Sequence, residues 1–222
     1  MPQISIKLAS NSPRRRMLLG WAGWPFTLAP VSIDETPSPG EPADRYVMRL
    51  AESKARASAA ANFHEGDPAE LLFLAADTTV ADGAQILGKP ENAAEARQIL
   101  TQLGGRVHQV HTALAAFQPA SGRMEMDLCT SDVRMRDYTD GEISAYIASG
   151  DPFDKAGAYA IQNQVFHPVE EFTNCYANIM GLPLCHLADL LARFGLRPPA
   201  QAQVACPGNQ GQNCPVYLKI EE

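Results

Sequence analysis

The chain has 222 residues, 45% hydrophobic and 19% charged, enough apolar content for one large domain or two small lobes around one cleft. Lysine and arginine number 18 against 25 aspartates and glutamates, and the net charge of −7 excludes broad electrostatic affinity for DNA, RNA or anionic membranes while leaving room for a small anion in a local basic pocket. MPQISIKLAS lacks the apolar core of a secretory signal, no run approaches about 18 apolar residues, and the five cysteines form no Cys-x-x-Cys pair, so the chain reads as a cytoplasmic protein with reduced thiols and no membrane partner.

Ile4 to Ala9 starts β-branched and alternates, predicting a buried strand that ends at Ser10. Pro13 then suits a first helical position, and RRRMLLGWAGW keeps apolar residues on one face until its glycines stop it. Trp21 and Trp24 read as helix-packing anchors. Residues 42–62 are alanine-rich, with Val47, Leu50 and Lys54 at helical spacings, and predict a long helix. LLFLAADTTV (71–80) is an apolar run closed by an acid, the pattern of a central strand buried on both faces.

ENAAEARQILTQLGG (91–105) predicts a helix with a double-glycine stop. RVHQVHTALAAFQ and the segment from Met124 to Met135 read as two strands of a hairpin across PASGR. His108 and His111 lie in the first of these at a spacing that puts them on different faces, and read as structural. Thr139-Asp140-Gly141-Glu142 has capping-box spacing and opens a short helix ending near Gly150. DPFDKAGAYAIQ reads as a loop leading into a strand. GLPLCHLADLLARFG closes the folded part with a helix between Pro183 and Gly195, and the remainder, rich in Pro, Gln and Gly, reads as a tail. Strands and helices mix along the chain, so the class is α/β with a mixed sheet.

Ligands in α/β sheets sit outside strand ends, which draws attention to Ser10–Arg15 after the first strand, Asp77-Thr78 after the apolar run, and Lys89-Pro90 after ILG. Glu35, Lys54 on the long helix and Lys155 in FDKAG complete a set of two carboxylates and five cations, the others being Arg14, Arg15 and Lys89. Acids that hold a divalent metal beside cations that hold phosphate oxygens are what phosphoryl chemistry needs. Asp77 is the strongest member, because a carboxylate buried after such a run needs a metal or hydrogen-bond partners. Arg16 reads as the solvated arginine of the triplet.

In this order, LASNSPRR, the IDE at 33–35, LAESKA at 50–55, AADTTV at 75–80, LGKP at 87–90, GGRVHQVHTA, DKAGAYAIQ at 154–162 and NIMGLPL at 178–184 resemble the Maf family of nucleoside triphosphate pyrophosphatases, over roughly residues 4 to 195. The resemblance implies a Maf/ITPase-like mixed sheet with flanking helices and two lobes around a deep cleft: a single catalytic domain over 1–196 followed by a tail at 197–222. It implies hydrolysis between the α and β phosphorus atoms, a divalent cation (Mg or Mn), no stable nucleic-acid partner and a homodimer. By the same resemblance Asp77 is the catalytic acid, Arg14 and Lys54 grip phosphate with Ser10, Arg15, Lys89 and Lys155 beside them, and Glu35 joins Asp77 at the metal.

DKAGAYAIQ resembles the branch acting on dTTP and UTP, with Thr78 and Gln162 at positions associated with that branch; the side-chain amide of Gln162 can donate and accept at a pyrimidine edge. Asn163 departs from the glycine most relatives carry, and the segment after it changes character. The same chemistry on a purine or methylated-purine triphosphate is therefore the second reading, and a non-catalytic division regulator that binds nucleotide or DNA is the third. Cys175, Cys185, Cys206 and Cys214 lack metal-site spacing, and a metal or redox site with His186 is the lesser alternative to inert thiols.

Overall fold

The computed structural model describes residues 5–197. Its elements run β1 (Ile6–Leu8), α1 (Pro13–Trp21), β2 (Phe26–Leu28), α2 (Ala43–Asn62), β3 (Leu72–Asp82), β4 (Gln85–Leu87), α3 (Ala93–Leu103), β5 (Val107–Gln118), β6 (Arg123–Met135), α4 (Asp140–Ala148), β7 (Val169–Phe172), α5 (Tyr176–Met180) and α6 (Leu184–Ala192). Residue 4 of the first expected strand and the tail from 198 onward, with Cys206 and Cys214, lie outside the described residues. None of the described helices is long and apolar enough to cross a membrane.

The strands form one mixed sheet ordered β2-β1-β3-β5-β6-β7, with β4 paired to β3. β1 pairs in parallel with β2 and β3, while the β3, β5, β6 and β7 pairs are antiparallel. β3 is the central strand, and Leu72 to Ala76 are fully buried, as a run covered on both faces requires. One face packs against α1, α5 and α6 through Leu18, Leu19, Leu74, Leu114, Leu187 and Leu191. Toward its other end the sheet meets α3 and α4 through Val80, Ile99, Val110 and Ile143, while α2 lays Val47, Ala51 and Ala55 on Ala75, Ala113 and Ala115. Alanine on both sides of that contact lets the long helix lie close to the sheet.

The local signals account for the helix ends. Ser12 caps α1, its hydroxyl accepting from the Arg15 amide at 3.4 Å with Pro13 following. The Asn92 side chain accepts from the amides of Ala94 and Glu95 at α3, and Thr139 and Glu142 close a capping box on α4.

Three expectations change. Asp77 does not end a strand: β3 continues to Asp82, because the Asp77-to-Ala81 backbone stays paired with β5. DKAGAYAIQ is not followed directly by a strand; two short 3-10 turns occupy Asp151–Asp154 and Ala156–Ala158. Gly157 at φ 70° and Ala158 at φ 59° reverse the chain there, and the next strand starts only at Val169. Trp24 is a buried anchor at 4% exposure, but Trp21 is 43% exposed at the solvent side of α1 and anchors nothing in the core.

Candidate active site

The opening of the site is built by the turn after β1. The Ser12 amide donates to the Ser10 hydroxyl at 3.1 Å, and the cap on α1 then launches Arg14 and Arg15 from its first turn. Arg15 reaches across the fold: Nε donates to the Gly181 carbonyl at 2.9 Å and Nη2 to Thr78 Oγ1 at 3.1 Å. Thr78 Oγ1 also lies 2.9 Å from Thr112 Oγ1, which donates to the Asn178 carbonyl at 2.9 Å. With that proton assigned, Thr78 must donate to Thr112 while accepting from Arg15, so its hydroxyl proton is committed inside the protein. Arg16 is exposed and away from the cavity, as expected.

Lys54, just past the middle of α2, sets its ammonium 2.5 Å from Asp77 Oδ1 and 2.7 Å from Glu35 Oε1. Tyr46, two turns earlier on the helix, donates its hydroxyl to the Glu35 carbonyl at 2.8 Å and fixes the loop that carries this acid. Asp77 is only 6% exposed, and burial pushes its pKa up against the pull of Lys54 and Arg15. Glu35 is half exposed at 48% of its side chain; burial raises its pKa, but the hydrogen bond and charge of Lys54 outweigh that, and the net direction is down. Two carboxylates of one cluster are thus pushed apart by their surroundings.

On the opposite wall Asp154 bridges two cations, accepting from Arg14 Nη1 at 3.3 Å and from Lys155 Nζ at 2.5 Å. Lys155 is buried and donates also to the Asp151 carbonyl and carboxylate at 2.6 and 2.9 Å. Gly157 donates its amide to the Gly88 carbonyl at 3.1 Å, which holds the turn carrying Lys89 against this wall.

These walls enclose a cavity of about 370 Å³, lined by nine of the ten expected residues: Ser10, Arg14, Arg15, Glu35, Lys54, Thr78, Lys89, Lys155 and Gln162. The tenth, Asp77, is not a lining residue but stands directly behind the Lys54 ammonium. Lys155, like Lys54, is already paired with two carboxylates, here Asp151 and Asp154. His108 and His111 stay outside the cavity, bonded to the Tyr159 hydroxyl at 2.8 Å and Thr130 Oγ1 at 2.9 Å, which fits their structural reading.

The family model for Maf-like proteins matches residues 5–194. The chain belongs to the Maf-like family. Curated relatives match along nearly their whole length. The dTTP/UTP pyrophosphatase of Citrifermentans bemidjiense is 44% identical over 88% of this chain and 98% of that protein. Those of Aromatoleum aromaticum and Myxococcus xanthus are 45% and 46% identical, over 87% and 90% of this chain and 97% of each relative. Among solved structures, the Staphylococcus aureus Ham1 protein aligns at 17% identity with a TM-score of 0.43, covering 72% of this chain and 88% of that chain.

In this Maf-like chain the sequence reading missed three participants. Asp154 and Asp151 pair with Lys155, and their closeness to it in sequence was a signal for that pairing. Gly181 enters through its backbone carbonyl, which no side-chain pattern announces. Asn163, the departure from the family pattern, turns out to organise its loop: Oδ1 accepts from the amides of Val165 and Phe166 at 3.1 and 2.8 Å, and Nδ2 donates to Asp151 Oδ2 at 3.1 Å. It thereby ties the segment after Gln162 to the wall that holds Lys155.

The donor set suits a hard divalent cation. Asp77 and Glu35 present carboxylate oxygens to one point, presently shared through Lys54, and no group of three or more His, Cys, Asp or Glu able to hold a metal occurs among the described residues. Such a pair leaves most coordination positions to substrate oxygens and water, the habit of magnesium at phosphate sites.

Proposed function

We propose that this protein hydrolyses nucleoside triphosphates between the α and β phosphorus atoms, releasing pyrophosphate and the nucleoside monophosphate, with dTTP and UTP as preferred substrates. The observation that carries the reading is the Lys54 ammonium bound to a buried Asp77 and to Glu35 at the edge of a cavity that also receives Arg14, Arg15 and Lys89. Full-length similarity to relatives called dTTP/UTP pyrophosphatases supports the same chemistry and the pyrimidine base.

In this reading the three cations hold the triphosphate and offset charge as it develops on the leaving pyrophosphate. Lys54 covers Asp77 until phosphate oxygens compete for its ammonium. The carboxylate so uncovered takes a proton from water as the water oxygen attacks the α phosphorus. Its raised pKa makes it a better base than an exposed aspartate. A divalent cation held by Asp77 and Glu35 would supply further charge neutralisation on the phosphates. Gln162 lines the cavity and presents an amide suited to a uracil or thymine edge. Thr78 contributes differently, as the acceptor that seats Arg15. A homodimer remains part of the proposal, checked by light scattering.

A nucleotide panel with separate detection of pyrophosphate and orthophosphate, with magnesium or manganese and with a chelator, tests the reading. Metal-dependent pyrophosphate release with dTTP and UTP highest in kcat/KM is expected. A purine at the top overturns the base assignment, and orthophosphate as the only product overturns the chemistry.

A further inference from the structure

A second cluster of reactive groups lies on β6, away from the phosphate cavity. Asp127, Cys129 and Ser131 alternate onto one face of the strand, as a period of two dictates. Over this face come His186 from α6 and Cys175 from the start of α5. His186 Nδ1 lies 2.9 Å from Asp127 Oδ2, and the Cys129 sulfur is hydrogen-bonded both to His186 and to Cys175. Cys175 is seated from its backbone: its amide donates to Ser131 Oγ at 3.3 Å, and that hydroxyl donates back to the Cys175 carbonyl at 3.4 Å. None of these residues lines the phosphate cavity.

Two cysteines buried in an apolar core ordinarily act as small hydrophobes. Here a carboxylate orients an imidazole onto one sulfur while a second thiol lies against the same sulfur, an arrangement that packing alone does not require. We propose that Cys129 and Cys175 form a redox-active dithiol, a modification site at which a hydroperoxide produces a disulfide. The electrostatics agree. The Cys129 thiol is pulled down by its hydrogen bond to Cys175, then by His186, against burial, while His186 is raised by Asp127 and Cys129 despite burial. Both directions favour a thiolate on Cys129 beside a protonated His186. Cys129 and Cys175 are 4% and 6% exposed, while the side chains of His186 and Asp127 beside them reach solvent at 21% and 25%.

The steps balance with the peroxide as oxidant. The Cys129 thiolate attacks one peroxide oxygen, the O–O bond breaks, and the departing hydroxide leaves as water with the His186 proton. Cys175 sulfur then attacks the sulfenic sulfur; the S–O bond breaks, the S–S bond forms, and a second water leaves. Two thiols are oxidised by two electrons and one peroxide is reduced to two waters. A bond of about 2.05 Å between the sulfurs would tie the start of α5 covalently to β6. That helix carries Asn178, whose carbonyl ends the Thr78–Thr112 chain, and leads to Gly181, the carbonyl that seats Arg15. Loss of turnover on oxidation follows, a consequence that rests on the pyrophosphatase reading.

Full-length protein, first reduced, is treated with hydrogen peroxide and followed by intact mass and peptide mapping. Loss of two hydrogens, a Cys129–Cys175 cross-link and reversal by dithiothreitol are expected, with His186→Gln slowing the reaction about tenfold near neutral pH. In Cys175→Ser, a diketone probe for sulfenic acid should label Cys129. Oxidation of Cys129 to sulfinate without a cross-link, pairing of Cys175 with Cys185, Cys206 or Cys214 instead, or an unchanged rate in His186→Gln would overturn the dithiol. Pyrophosphate release by the cross-linked form should fall on the order of tenfold. A cross-link that leaves turnover unchanged would overturn the coupling to Arg15, and the mass readout stands whether or not the protein hydrolyses triphosphates.

Discussion

The Lys54 ammonium stands 2.5 Å from the Asp77 carboxylate, joining the long helix to the central strand at a point where both side chains are nearly removed from solvent. The partners are unequal. Burial raises the Asp77 pKa above its ordinary value, so holding the charge there costs the fold something at neutral pH: stability from this group is fullest at low pH and declines as pH rises through the raised pKa.

Asp77→Asn should therefore separate activity from stability. Pyrophosphate release falls at least about 10²-fold, while the thermal midpoint at pH 7 is no lower than that of the parent. A marked drop in melting temperature would make Asp77 a structural residue first.

Lys54→Met should behave in the opposite way. Removing the shared cation leaves Asp77 buried with its charge uncompensated, at a cost of about 2–4 kcal/mol in denaturant unfolding. Activity is lost with it. A variant as stable as the parent would show that Lys54 serves the substrate alone.

Much of this site was legible in the sequence, for a physical reason. An acid interrupting a run of buried apolar residues must have a partner, and a lysine on the apolar side of an alanine-rich helix must reach one. Asp77 and Lys54 carry those signals, and they meet. The capping box at Thr139 and Glu142 was equally readable because its bonds are local. What stayed hidden depends on distant chain. Residues 15 and 181 meet through a backbone carbonyl, and the neutralising of Lys155 by Asp151 and Asp154 depends on a turn whose left-handed residues include a non-glycine, Ala158. β2 and β4 are three-residue strands, too short to show a period of two.

Gly157 tests how far that turn matters. Its φ is 70°, and an added Cβ would lie 2.9 Å from Val80 Cγ2. Gly157→Ala should destabilise by about 1–3 kcal/mol through strain and crowding together. Adding Val80→Ala should recover the crowding part and leave the backbone part. Strict additivity in a double-mutant cycle of unfolding energies would contradict the contact.

Acid behaviour should expose the loop beside the cavity. Glu142 accepts from the Thr139 amide at 2.8 Å and from Arg136 Nη2 at 2.7 Å, and Arg136 in turn holds the carbonyls of Phe166 and His167. The backbone bond to Thr139, then the Arg136 bond, lower the Glu142 pKa from 4.5 to about 2. A depressed carboxylate gives its full stability above the unfolded value and loses it as pH falls toward the folded one. Thermal melts of Glu142→Gln should fall below the parent at pH 7, and the gap should close between pH 4.5 and about 2. A gap of constant size across that window would contradict the assignment.

The central claim is that this cluster directs water at the α phosphorus of a bound triphosphate. Turnover of dTTP in heavy-oxygen water, followed by mass analysis of both products, tests it most directly. The account predicts one labelled oxygen in the nucleoside monophosphate and none in the pyrophosphate; label in the pyrophosphate, or release of orthophosphate in its place, would contradict it.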